Sequence, residues 1–146
     1  MSRPRSTYPA RLPSQLRLGV ALMVIAAAGH ALGLWAPTLE HVADSTWPAH
    51  ARFHAFQGLW LVTGWDIAAI LVALGPFQRG ERWALGVLVL YLGFAQLGYF
   101  VSMAVVPTGL PPGLAVHLLY LSGTIVFVAG LLLSRWRLPH DAPALP

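Results

Sequence analysis

The chain has 146 residues, 57% of them apolar and 10% charged, with mean hydropathy +0.65 and no cysteine. A soluble domain carries roughly 25% charged residues, so this composition excludes an ordinary water-soluble globule and points to the lipid bilayer. All nine basic residues are arginines, set against five carboxylates for a formal charge of +4; they lie in short patches between apolar runs, which argues against nucleic acid, and the lack of cysteine excludes disulfides, iron–sulfur clusters and thiolate metal sites.

A transmembrane helix needs about 20 mostly apolar residues, and four stretches meet that length. The first runs over about 18–35, stopped by Pro37, and the second over about 53–74, stopped by Gly75-Pro76. The third covers about 83–106, up to Pro107, and the fourth about 114–133, opened by Pro111-Pro112. Proline is tolerated in a helix's first turn and disfavoured in its interior, so each boundary has a cause. Trp35, Trp47, Trp83 and Trp136 fall near the ends, as interfacial anchors do. Residues 1–16 and 139–146 read as disordered tails. The expected fold is all-α: one integral membrane domain built as an antiparallel four-helix bundle.

Orientation follows from the arginines. Arg3, Arg5, Arg11 and Arg17 precede the first span, Arg79 and Arg82 separate the second from the third, and Arg135 and Arg137 follow the fourth. The excess of positive charge on one side is expected to put both termini in the cytoplasm and the 37–52 connection outside; the lysine-free, Ala/Leu/Arg-rich composition suggests a bacterial inner membrane. A basic leader before Ala26-Ala27-Ala28 also fits a cleaved signal peptide, which would leave three spans; the apolar run continuing to Trp35 favours a retained helix. Gly29 and Gly33 form a GxxxG that permits a homo-oligomer, and Gly86, Gly93 and Gly98 mark close packing on the third span.

Ionisable groups inside a bilayer are costly unless paired or facing a cavity, so each one is a candidate functional residue. Rise per residue puts His30, His54 and His117 in the outer half of the bundle, with His41 and His50 just outside it. His50 and His54 are four residues apart, on one helix face, a spacing that suits two imidazoles on one metal or one polar ligand, and Gln57 continues that face. His117, Tyr120 and Thr124 form a stripe on the fourth span, and Gln96, Tyr99 and Met103 one on the third. These stripes are expected to converge on a pocket opening outwards. Asp66, the one carboxylate well inside a span, is expected at the depth of Gln96, either gluing helices or relaying protons, and away from the His54 stripe. Arg52 is expected to pair with Glu40 or Asp44, or to fork a phosphate or carboxylate headgroup.

The segment Trp47-Pro-Ala-His-Ala-Arg-Phe-His54, preceded by His41, resembles a family of small four-span membrane proteins of bacteria and fungi. Its members carry Trp-Pro-x-His-Ala-(Arg/Lys)-Phe-His. The match is dense over residues 41–54 and departs at Ala49, where a second proline is common, and in lacking an asparagine-proline pair before Trp47. The resemblance implies a site at His41, His50, Arg52 and His54 and supplies no reaction.

Three functions suit these residues. The first is a membrane enzyme acting on a lipid-like or isoprenoid-like molecule. In it His50, His54, His117 and Asp66 supply acid–base chemistry, or His41, His50, His54 and Glu40 hold Zn, Cu or Fe, while His30, Arg52, Gln57, Gln96, Tyr99 and Tyr120 bind the ligand. The second is a b-type haem or quinone protein with His30 and either His54 or His117 as axial ligands. The third is a non-enzymatic accessory subunit.

Overall fold

A computed structural model describes residues 14–105 and 113–135. α1 spans Ser14–Ala43 and α2 spans Ala49–Leu74. The third span runs without a break through α3 (Arg82–Tyr91), a π-helical turn (Leu92–Leu97) and α4 (Gly98–Val105), and α5 covers Gly113–Arg135. All four spans are long and apolar enough to cross a membrane, and no strand occurs among the described residues. The fold class is therefore all-α, a four-helix membrane bundle. Large side chains such as Phe94 and Leu32, 77% and 76% exposed, turn outward, a surface suited to lipid and not to water.

The first two helices overrun their expected ends. Pro37 lies inside α1 rather than after it. An interior proline removes one helix hydrogen bond, but neighbouring helices and small backbone adjustments accommodate that loss in apolar surroundings, where an unravelled backbone would cost more. α2 begins at Ala49, directly after Pro48. The connection expected over 37–52 therefore shrinks to residues 44–48. There the amide and hydroxyl of Thr46 donate to Asp44 Oδ1 at 2.8 and 2.7 Å, and the His41 ring stacks on Trp47 with centroids 4.6 Å apart. Residues 14–16, expected in a tail, open α1; the rest of both tails and the 106–112 connection lie outside the described residues.

At the opposite end α2 stops at Leu74, with the Gly75 amide donating to the Leu71 carbonyl at 3.0 Å. The turn that follows places Gly80 at φ 79°, a conformation that favours glycine. Glu81 clamps it, accepting from Arg79 Nε at 2.8 Å and from Trp83 Nε1 at 2.7 Å.

α1 packs against α2 and α5, α2 against α3, and the π-helical turn against α5, so neighbours close a ring. Gly19 faces Gly130 and Ser134, whereas Gly33 faces Leu119, which makes α1 and α5 antiparallel. A Cβ on either Gly19 or Gly130 would come within 2.5 Å of the other's carbonyl oxygen, so the two backbones touch at that crossing. The closest approach was expected at Gly29, Gly33, Gly86, Gly93 and Gly98. Instead Gly29, Gly86 and Gly93 face open space, and Gly33 is taken up against Leu119 inside the chain.

Burial is one-sided. The buried residues of α1 run from Leu16 to His30 and those of α2 from Leu59 to Ala73, with Phe77, Leu88, Tyr91 and Phe127 completing the core. None of residues 31–58 is buried. The half of the bundle nearer the 44–48 linker is thus the looser one, and a set of polar side chains lies where the packed half ends.

Candidate functional site

α1 is 30 residues long, which puts His30 close to its midpoint and not near an end. That shift of depth, caused by the helix continuing through Pro37, brings His30 level with Asp66 of α2. His30 Nδ1 lies 3.0 Å from Asp66 Oδ1 and 3.2 Å from Oδ2. The Tyr91 hydroxyl donates to Asp66 Oδ1 at 2.6 Å, and Gln96 Nε2 donates to the Tyr91 oxygen at 3.0 Å. All four residues are buried, with Asp66 and Gln96 at 0% exposure. The carboxyl is thus hydrogen-bonded by partners from two other helices, the condition under which a bilayer tolerates it.

Tyr91 was not among the expected residues, and the π-helical turn explains why. In an α-helix, positions five apart point about 140° away from each other at 100° per residue, so Tyr91 and Gln96 appear to occupy different faces. A π-helical turn closes i to i+5 and stacks them. A conserved helical period is what a pattern search assumes, and one wide turn defeats it.

Two atoms of this network have no partner. His30 Nε2 and Gln96 Oε1 are both buried and unbonded. His30 lines a cleft of about 190 Å³ between α1 and α5, together with Ile25, Ala26, Gly29, Leu119 and Gly123. Gln96 Oε1 lies behind that wall, 3.3 Å from the position a Cβ on Gly123 would take. The cleft is apolar except for the imidazole and the exposed Ser122, whose hydroxyl donates to the Leu119 carbonyl at 3.1 Å.

The remaining candidates form two separate groups towards the linker. Tyr99 stacks on Tyr120 with ring centroids 3.8 Å apart and planes 7° from parallel, and its hydroxyl is hydrogen-bonded to His117 Nδ1 at 2.7 Å. Thr124 bonds back to the Tyr120 carbonyl. Tyr120 also meets the edge of His30 at 5.0 Å. A second cavity, of about 140 Å³, is bounded by Leu34, Pro37, Thr38, His41, Tyr99 and Tyr120. The other group is on the surface: His50 and His54 bring their Nε2 atoms to 3.1 Å, and His54 Nδ1 lies 3.2 Å from Gln57 Oε1. If His54 donates to Gln57, its Nε2 lone pair receives the His50 proton, so the pair is a self-contained hydrogen-bonded unit.

Several expectations are therefore corrected. One convergent pocket holding His30, His54 and His117 does not form; His30 belongs with Asp66, His117 with Tyr99, and His54 with His50. Gln96 turns to Tyr91 and away from Tyr99, and the Met103 side chain lies outside the described residues. The metal set of His41, His50, His54 and Glu40 is not assembled: His41 is on Trp47, Glu40 is exposed, and among the described residues no three His, Asp or Glu side chains gather around a common point. His50 and His54 alone present two nitrogens to an ion. Haem b does not fit between His30 and His117, because the stacked rings of Tyr120 and Tyr99 fill the space that separates them. His54 is committed to a surface pair and offers no opposite ligand to His30.

Arg52 makes no ion pair among the described residues, and its Nε is buried without a partner. The clamp to Glu40 or Asp44 is not formed. The hydroxyl and amide of Thr46, more than the charges of His41 and Arg52, hold the Asp44 carboxyl below its usual range.

Comparison of the chain with known protein families, curated proteins and solved structures finds no match.

Proposed function

We propose that this membrane protein binds a lipid-soluble small molecule in the α1–α5 cleft and holds its polar group on His30 Nε2, with Asp66 behind the imidazole. One observation carries the reading: a 3% exposed histidine with an unpartnered Nε2 that lines an open, apolar cleft. A buried polar atom left unsatisfied costs about 1–3 kcal/mol, which a ligand's hydrogen bond would offset. Ile25, Leu119 and Val126 suit a hydrocarbon chain. An imidazole oriented by a carboxylate at Nδ1 exchanges its proton at Nε2, so proton transfer with the bound molecule is the chemistry this site can support.

The roles first expected at His50, His54 and His117 move, in this reading, to His30 and Asp66. The surface pair of His50 and His54 is then an interfacial feature beside the 44–48 linker. The arginine distribution supports both termini in the cytoplasm, with residues 44–48 outside.

The test is mass spectrometry of the full chain, purified in mild detergent without a histidine tag. A lipophilic molecule should accompany the wild type and be lost from His30→Ala. It should also be lost from Gly29→Leu, which fills the cleft where a Cβ meets nothing within 4 Å and so leaves the packed half intact. Equal retention by Gly29→Leu would sink the proposal.

A further inference from the structure

The hydrogen bonds around Asp66 also restrict the chemistry of the ligand, given the cleft reading above. The bond between His30 Nδ1 and the Asp66 carboxyl requires one proton between the two groups. The other neighbours contribute no charge: Tyr91 donates its own hydroxyl proton to Asp66, Gln96 donates to Tyr91, and Tyr120 meets His30 as a neutral ring. His30 is the sole ion-pair partner of Asp66 among the described residues. The balance of charge at mid-membrane is therefore set by these two residues.

Consider where a second proton goes. Without it, Asp66 is ionised and His30 neutral, and the pair carries a net negative charge in a medium that solvates charge poorly. With it the pair is neutral overall, either as carboxylate with imidazolium or as carboxylic acid with imidazole. In the first form both ring nitrogens bear hydrogen. In the second Nδ1 accepts from the acid, so the single ring hydrogen is on Nε2. Both neutral forms carry a hydrogen on Nε2, the buried atom that no partner meets, and only the charged form leaves it a bare lone pair.

We infer that His30 is a hydrogen-bond donor towards the cleft and that its ligand is an uncharged lipid-soluble carbonyl compound, such as a quinone, ketone or ester, whose oxygen accepts from Nε2–H. A carbonyl is satisfied by that one donor. An anionic group would return a net charge to the site, and a hydroxyl would bring a hydrogen that the apolar lining of Ile25, Ala26, Leu119 and Val126 does not accept.

Two measurements on the full chain in lipid nanodiscs test this. The first is nitrogen NMR of the imidazole rings, with the His30 signals assigned by their loss in His30→Gln. A protonated Nε2 is expected; an unprotonated Nε2 in the wild type overturns the inference. The second compares a long-chain ketone, labelled at its carbonyl, with the alcohol of the same skeleton. The wild type should hold the ketone about tenfold more tightly than the alcohol, the worth of one hydrogen bond, with the carbonyl infrared band lowered by the Nε2–H donor. Equal affinity for the two probes, or an unshifted carbonyl band, overturns the inference while leaving the cleft as a binding site. If the wild type holds neither probe, the binding reading fails, and the ligand class with it.

Discussion

Asp66 is the residue on which the interior depends. It is hydrogen-bonded to His30 and accepts from Tyr91, which come from the first and third spans, so one carboxyl ties three of the four spans together. Removing one partner of such a network leaves buried groups unsatisfied, which costs more than the bond itself contributed. Tyr91→Phe keeps the ring packed on Phe127, 4.9 Å away, but strips Asp66 of its shortest bond and leaves Gln96 Nε2 without an acceptor. It should therefore destabilise the bundle by about 1–3 kcal/mol, read as a lower midpoint of thermal unfolding in detergent. An unchanged midpoint would mean that the phenol is not a working member of the network. The residue types of this network were legible, since intramembrane Asp66, His30 and Gln96 stood out as costly. Their partnership was not, because it depends on which helix faces meet.

At the scale of the element, three of the four spans have ends or interiors that local rules described only in part. Gly75-Pro76 did end α2, as its turn residues require. Pro37 failed to end α1, because an apolar environment penalises broken helix more than one missing hydrogen bond. The π-helical turn left no mark of its own in the apolar pattern of the third span. The turn between α2 and α3 is a small unit with its own pH response. Arg79 and Trp83, bonded to Glu81, hold its carboxyl below the usual value of 4.5. A depressed native value means that the clamp contributes fully above the unfolded value and is lost as the pH falls through the lowered one. Amide exchange at residues 79–81, corrected for its intrinsic pH dependence, should accelerate in the wild type as the pH falls through the lowered value of Glu81. It should be fast at all pH values in Glu81→Gln. A flat profile in the wild type would show that the clamp does not hold the turn.

Across the whole molecule, the packed half and the looser half differ in what should open first. Backbone amides of α1 before His30 and of α2 after Leu59 belong to the buried half, whereas residues 31–58 bury no side chain fully. Hydrogen exchange in nanodiscs should therefore protect 16–30 and 59–73 longer than 38–54, with the boundary near His30. Uniform protection along α1 would contradict that division. The composition made the membrane class plain, but a hydropathy count weighs every apolar residue alike and so does not register that one half of the bundle is better filled than the other.

The position of His30 and Asp66 on successive spans also bears on how the chain enters the bilayer. An aspartate at the centre of a spanning helix costs about 2.5–3.5 kcal/mol on insertion scales, so α2 is handicapped if it partitions by itself. α1 leaves the ribosome before α2 and carries the base that, among the described residues, meets that acid at the same depth. The two helices, joined by only residues 44–48, can leave the translocon as a hairpin in which the acid is already matched. The pair is then a condition of biogenesis as well as a feature of the finished bundle, and the order of the spans along the chain is part of how it is met.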